Sequence, residues 1–154
     1  MWAACDVRRP PALRGDREGP DLGDRGHHRD GVHILAFAGL SGDFYDLHVD
    51  DDYARSLGFP GKVAHGLLGL ALADGLKNRS SVRLAAIVSL GWRWNFTGPI
   101  LAGDRISATI RVISKRTTRR PERGLVTLYF DLRNQRGETV QHGENDMMVH
   151  RRSE

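Results

Sequence analysis

The stretch FPGKVAHGLLGLALADGL, residues 59–76, decides the fold. From His65 to Leu76 nearly every position is apolar or small, which predicts a helix buried on most sides. Gly66, Gly69 and Ala71 would let other backbone come close to it. Upstream, Val32, Leu35, Ala36 and Leu40 recur at helical spacing and predict a short amphipathic helix ending at Ser41-Gly42. A second short helix is expected over Asp51 to Leu57, with acidic residues in its first turn. After Ser81 the period changes from helical to alternating. Trp92, Trp94 and Phe96 share one face of a strand, with Arg93 and Asn95 on the other. Ile106, Ala108, Ile110 and Val112 form a second such face, and Val126, Leu128, Phe130 and Leu132 a third. ETVQHGENDMMVH, residues 138–150, is a weaker fourth strand, with a bulge expected at Gly143. One buried helix followed by antiparallel strands makes an α+β domain, a helix wrapped by a curved sheet.

Bulk properties bound the rest. At 154 residues the chain forms one domain with a real core, and 40% hydrophobic with 27% charged residues is an ordinary globular mix. The longest apolar stretch, Val63 to Ala73, is too short to span a bilayer, so no membrane partner is expected. No signal peptide is visible, and the single Cys5 cannot form an internal disulfide, which together point to the cytoplasm. Residues 1–31 are rich in Gly, Pro, Arg and Asp with no lasting periodicity. They read as a disordered or aberrant extension, with the ordered domain over 32–154, and His27-His28 as part of a solvated tail. The net charge is +4. The basic run Lys115, Arg116, Arg119, Arg120 and Arg123 lies between two strands and reads as a solvated hairpin tip, with phosphate contact as the other option. No stacking aromatics accompany it, so no nucleic-acid partner is expected. Phosphate loops, CxxC pairs and nucleophile elbows are missing from the sequence.

Between the first two helical segments lies SGDFYDLHVD, residues 41–50. It places Asp43 and His48 five positions apart in a turn-like segment, and neither looks like core. The local options are a solvated acidic turn, a metal site using the neighbouring carboxylates, or an acid–base pair aimed at a substrate.

The wider segment FAGLSGDFYDLHVDDDYARSLGFPGKVAHGLLGLALADGL, residues 37–76, resembles the MaoC-like dehydratases and R-specific enoyl-CoA hydratases. FTGPILAGDRISATIRVIS and NQRGETV resemble that family's later strand entry and last hairpin, so the likeness runs over about residues 33–150. The resemblance implies the hot-dog fold, usually paired as a homodimer. It also implies addition of water to a 2-enoyl-CoA, or the reverse dehydration, without metal or cofactor. It assigns Asp43 and His48 to holding and activating the water. To the Gly66 N–H, at the start of the buried helix, it assigns the thioester oxygen as that atom gains charge. Such roles suit a carboxylate, an imidazole and a helix N-terminus. Two departures stand out. Tyr45-Asp46 replaces the family's Asn-Pro, and residues 1–31 lack the strand that usually leads into the first helix. The alternatives are a non-catalytic acyl-thioester-binding subunit of a heteromeric hydratase, and a hot-dog acyl-CoA thioesterase.

Overall fold

The computed structural model describes residues 31–80 and 83–151. The expectations for residues 1–30 lie outside this range. Among the described residues four helices precede four strands: α1 Val32–Ser41, α2 Asp46–Val49, α3 Asp51–Ser56, α4 Gly66–Arg79, β1 Ala86–Phe96, β2 Ser107–Thr117, β3 Arg123–Arg133 and β4 Thr139–His150. The strands make one antiparallel sheet in the order β1-β4-β3-β2. The architecture is the expected α+β.

The helix boundaries follow local chemistry. Gly42 stops α1 in a left-handed conformation, φ 80°, with its N–H on the Ala38 carbonyl. Asp50 caps α3, its carboxylate accepting from the N–H groups of Asp52 and Tyr53 at 2.7 and 3.0 Å. The face that α1 buries differs from expectation. Ile34 and Ala38 are buried, whereas Val32, Leu35 and Leu40 face outward. Almost every position of VHILAFAGL is apolar, so the sequence holds little contrast from which to choose a face. Helix α4 likewise buries one stripe, Gly69, Ala73 and Leu76, while Leu67, Ala71 and Gly75 are exposed. Within a single chain it is therefore covered on one side rather than most.

Strand β3 alternates as its sequence does, with Val126, Leu128, Phe130 and Leu132 all 2% exposed or less. Trp92 and Trp94 of β1 bring their rings to 5.1 and 5.9 Å from Phe130. The weak pattern of β4 has a specific cause. Its inward positions are Gln141, Gly143, Asn145, Met147 and Val149, so two amides and a glycine replace apolar residues. Asn145 is satisfied in part by donating to Ser89 Oγ at 2.7 Å and the Gly91 carbonyl at 2.9 Å. Gly143 is not a bulge: it pairs in register with both Trp94 and Phe130. A Cβ there would run into the Arg93 carbonyl and the Trp94 ring, so close approach requires the glycine. The irregularities in that pairing lie in β1, between Ala86 and Val88 and between Ser89 and Gly91. The outward face of β4 is charged. Arg93 binds Glu144 and Asp146 together, and Asp146 also accepts from Thr127.

Candidate active site

Asp43 follows the cap of α1 and closes a small turn, its Oδ1 accepting from the Tyr45 N–H at 3.2 Å. Helix α2, not anticipated from the sequence, carries His48. The His48 Nδ1 lies 2.6 Å from the Val63 carbonyl. A carbonyl only accepts, so Nδ1 holds the proton and the Nε2 of the neutral ring is left as an acceptor. The tautomer useful to a base is thus set by backbone. Tyr45, the first of the two residues where the resemblance leads one to expect Asn-Pro, is tied down through its side chain. The Tyr45 hydroxyl meets that of Tyr53 at 3.0 Å, and its ring stands edge-on to His48 with centroids 6.0 Å apart. That contact with Tyr45 also raises the pKa of the Tyr53 hydroxyl.

A third residue completes the cluster. His65, only 3% exposed, is the residue immediately before α4. Its Nε2 lies 2.8 Å from the Asp43 backbone carbonyl and 3.9 Å from the Asp43 carboxylate. By the same reasoning Nε2 carries the hydrogen, leaving Nδ1 as a buried acceptor with no partner among the described residues. The His48 and His65 rings stack with centroids 3.8 Å apart and planes 26° apart. One nitrogen from each histidine and an Asp43 oxygen all fall within 4.8 Å of one another. The lone pairs of the ring nitrogens lie in their ring planes, and stacked rings keep those planes side by side. They do not converge on one ion at roughly 2.1 Å from each, so the stack does not suit metal chelation.

Gly66 opens α4, where helix geometry leaves the first N–H groups unpaired. A Cβ on Gly66 would sit 2.8–3.0 Å from the Phe96 ring. His48, Gly66, Phe96 and Gln141 line one cleft of about 300 Å³, also walled by Leu47, Ile100 and Pro99. Of the three residues singled out from the sequence, His48 and Gly66 share this cleft. Asp43 stands beside it, tied to His65. The sequence reading passed over His65 and Gln141. The signal for His65 was a histidine inside Ala64-His65-Gly66, a polar residue at the mouth of an apolar run. Gln141 left only the break in β4 alternation.

The basic hairpin is remote from this cleft. Arg123 pairs with His150 at one end of β4, and Leu132 pairs with Gln141 at the other. Along the strand the separation is about 30 Å. Among the described residues, no helix is long and apolar enough to cross a membrane.

The model of the MaoC-like domain family matches residues 24–131. The chain belongs to this family. Curated relatives include an (R)-specific enoyl-CoA hydratase of Aeromonas caviae. It is 32% identical over 111 residues, 72% of this chain and 79% of the relative. A second, from Rhodospirillum rubrum, also named (R)-specific enoyl-CoA hydratase, is 32% identical over 116 residues, 75% of this chain and 76% of its own. The solved MaoC-like dehydratase from Rhodospirillum rubrum superposes with a TM-score of 0.75 at 30% identity, covering 89% of this chain and 91% of that one. The hot-dog fold expected for a MaoC-like chain is therefore the fold found.

Proposed function

We propose that this chain is a hydratase that adds water across the C2–C3 double bond of a 2-enoyl-CoA thioester, and removes it in reverse. The observation that carries the reading is the fixed tautomer of His48 beside the Gly66 amide in one cleft. The His48 Nε2 takes a proton from a water set over C3, and the water oxygen bonds to C3. The electron pair of the double bond moves through C2 onto the thioester oxygen. There the Gly66 N–H and the positive end of α4 favour the charge. Protonation of C2 by the imidazolium then completes the addition, so one proton is taken and returned. The Asp43 carboxylate orients the water and faces the imidazolium while it is charged. His65 holds the Asp43 backbone and braces the His48 ring by stacking. No redox partner enters this scheme.

Loss of enoyl absorbance from crotonyl-CoA is the direct test. A steady loss with no release of free thiol is expected. Thiol release without hydration would identify a thioesterase, and neither signal would favour the partner-subunit alternative. We further propose a homodimer, supported by the edge of β1, which pairs with no strand among the described residues, and by its exposed Ile87, Val88 and Leu90. Light scattering at micromolar concentration should give twice the chain mass, and a monomer would count against it.

A further inference from the structure

The buried amide of Gln141 is the polar group in the cleft that the scheme above leaves unused. It is 2% exposed and sits on β4, beyond the stretch matched by the family model. Its Oε1 accepts from Trp94 Nε1 at 2.9 Å, and its Nε2 donates to the Gly66 carbonyl at 3.1 Å. The indole N–H only donates and the carbonyl only accepts, so the amide has one workable orientation. Trp94 is in turn held by Trp92 and Phe130. On the other side, a Cβ at position 69 would collide with three atoms of this amide, so Gly69 is the space that Gln141 occupies.

We infer that Gln141 is the positioning residue that aims the Gly66 N–H at the thioester oxygen. Gly66 has no side chain to fix its backbone, and it opens the helix, where the ladder holds it least. Anchoring its carbonyl to the sheet holds the Gly66 Cα in place, and through it steadies the preceding peptide plane that carries the N–H. An oxyanion donor gains most when it is already aimed before charge develops. The chain from Phe130 through Trp94 and Gln141 to Gly66 thus ties the core of the sheet to the reacting oxygen. This assignment rests on the hydratase reading.

Gln141→Glu is the sharpest probe, because its carboxyl matches the amide in shape. Ionised, it still accepts from Trp94 but cannot donate to Gly66; protonated, it does both. We expect kcat to fall at least about tenfold at pH 8 with KM changed less than twofold, as for a contact made chiefly in the transition state. The ratio of variant to wild-type kcat should then climb as pH falls and the carboxyl is protonated. A ratio flat with pH, or an unchanged kcat, overturns the inference while leaving the hydratase reading standing. A wild-type chain that hydrates no enoyl-CoA removes both. If Gln141→Glu does not fold, Gly69→Ala and Gly69→Ala/Gln141→Ala decide. The inference requires Gly69→Ala to lower kcat by displacing the amide. It also requires the double variant to be no slower than Gln141→Ala alone. A double variant in which the two losses multiply overturns it.

Discussion

Two clefts flank the segment that joins α3 to α4, and they make opposite use of polar groups. The larger, about 450 Å³, is lined by Asp51, Lys62, Asp104 and Gln135. Its charges are already engaged. Asp51 accepts from the Lys62 N–H and pairs with the Lys62 ammonium at 3.3 Å, which holds its carboxyl below the ordinary value. Asp104 accepts from the Leu101 N–H at 2.9 Å and from Gln135 at 2.8 Å. The smaller cleft is bordered by an imidazole nitrogen and a helix-end N–H that no described residue consumes. Chemistry is favoured where buried polar groups are left unspent, not where the hollow is widest.

Substitutions in the two clefts should therefore fail in different ways. Asp43→Asn and His48→Gln are each expected to lower turnover by at least about a hundredfold with little change in melting temperature. Near-wild-type hydration by both would erase the distinction between the clefts. Gly66→Ala keeps the N–H but sets a methyl against Phe96. A misaimed donor should slow turnover by about ten- to a hundredfold, and steady-state kinetics on crotonyl-CoA would measure it.

In the larger cleft the expected loss is of stability alone. Asp104, with a side chain 4% exposed, accepts two hydrogen bonds and pairs with Arg136 at 3.6 Å, and Asn keeps neither the charge nor both acceptors. Asp104→Asn should cost about 1–3 kcal/mol in denaturant titration while kcat stays unchanged. A fall in kcat would move the working site toward that cleft. The smallest effect belongs to the outer face of the sheet. Hydrogen bonds from Arg93 and then Thr127 lower the Asp146 pKa from its ordinary 3.8. A lowered folded-state value stabilises the fold above the unfolded pKa, and that contribution is lost as pH falls through the folded value. Asp146→Asn should therefore cost less than about 1 kcal/mol at pH 7 and nothing in strong acid, as urea melts at the two pH values would show.

Legibility followed the range of the interactions involved. Ser41-Gly42 announced the end of α1, and the acidic first turn at Asp51 the start of α3, because both signals act within a few residues. The alternation of β3 was readable because every inward position is apolar. The α1 face was not, since a helix apolar all round carries no directional signal. Gly143 looked like a defect when it is room for Trp94, a residue on another strand. In the site, Asp43, His48 and Gly66 were visible as residue types in a resembling motif. What His65 and Gln141 do is a matter of partners 22 and 75 positions away, beyond the reach of local pattern.

The bond that fixes the His48 ring goes to a main-chain carbonyl, and every amino acid brings the same one. No exchange of side chain at position 63 deletes that acceptor, provided the newcomer fits a site only 7% exposed. A saturation screen would thus record tolerance for small aliphatic replacements at Val63 and file the position as filler. The information that selects the proton's place is stored in the path of the backbone. There it is invisible to an exchange of side chain at Val63, but reachable by insertion, deletion or a proline at Ala64, whose N–H ties that path to Ile100.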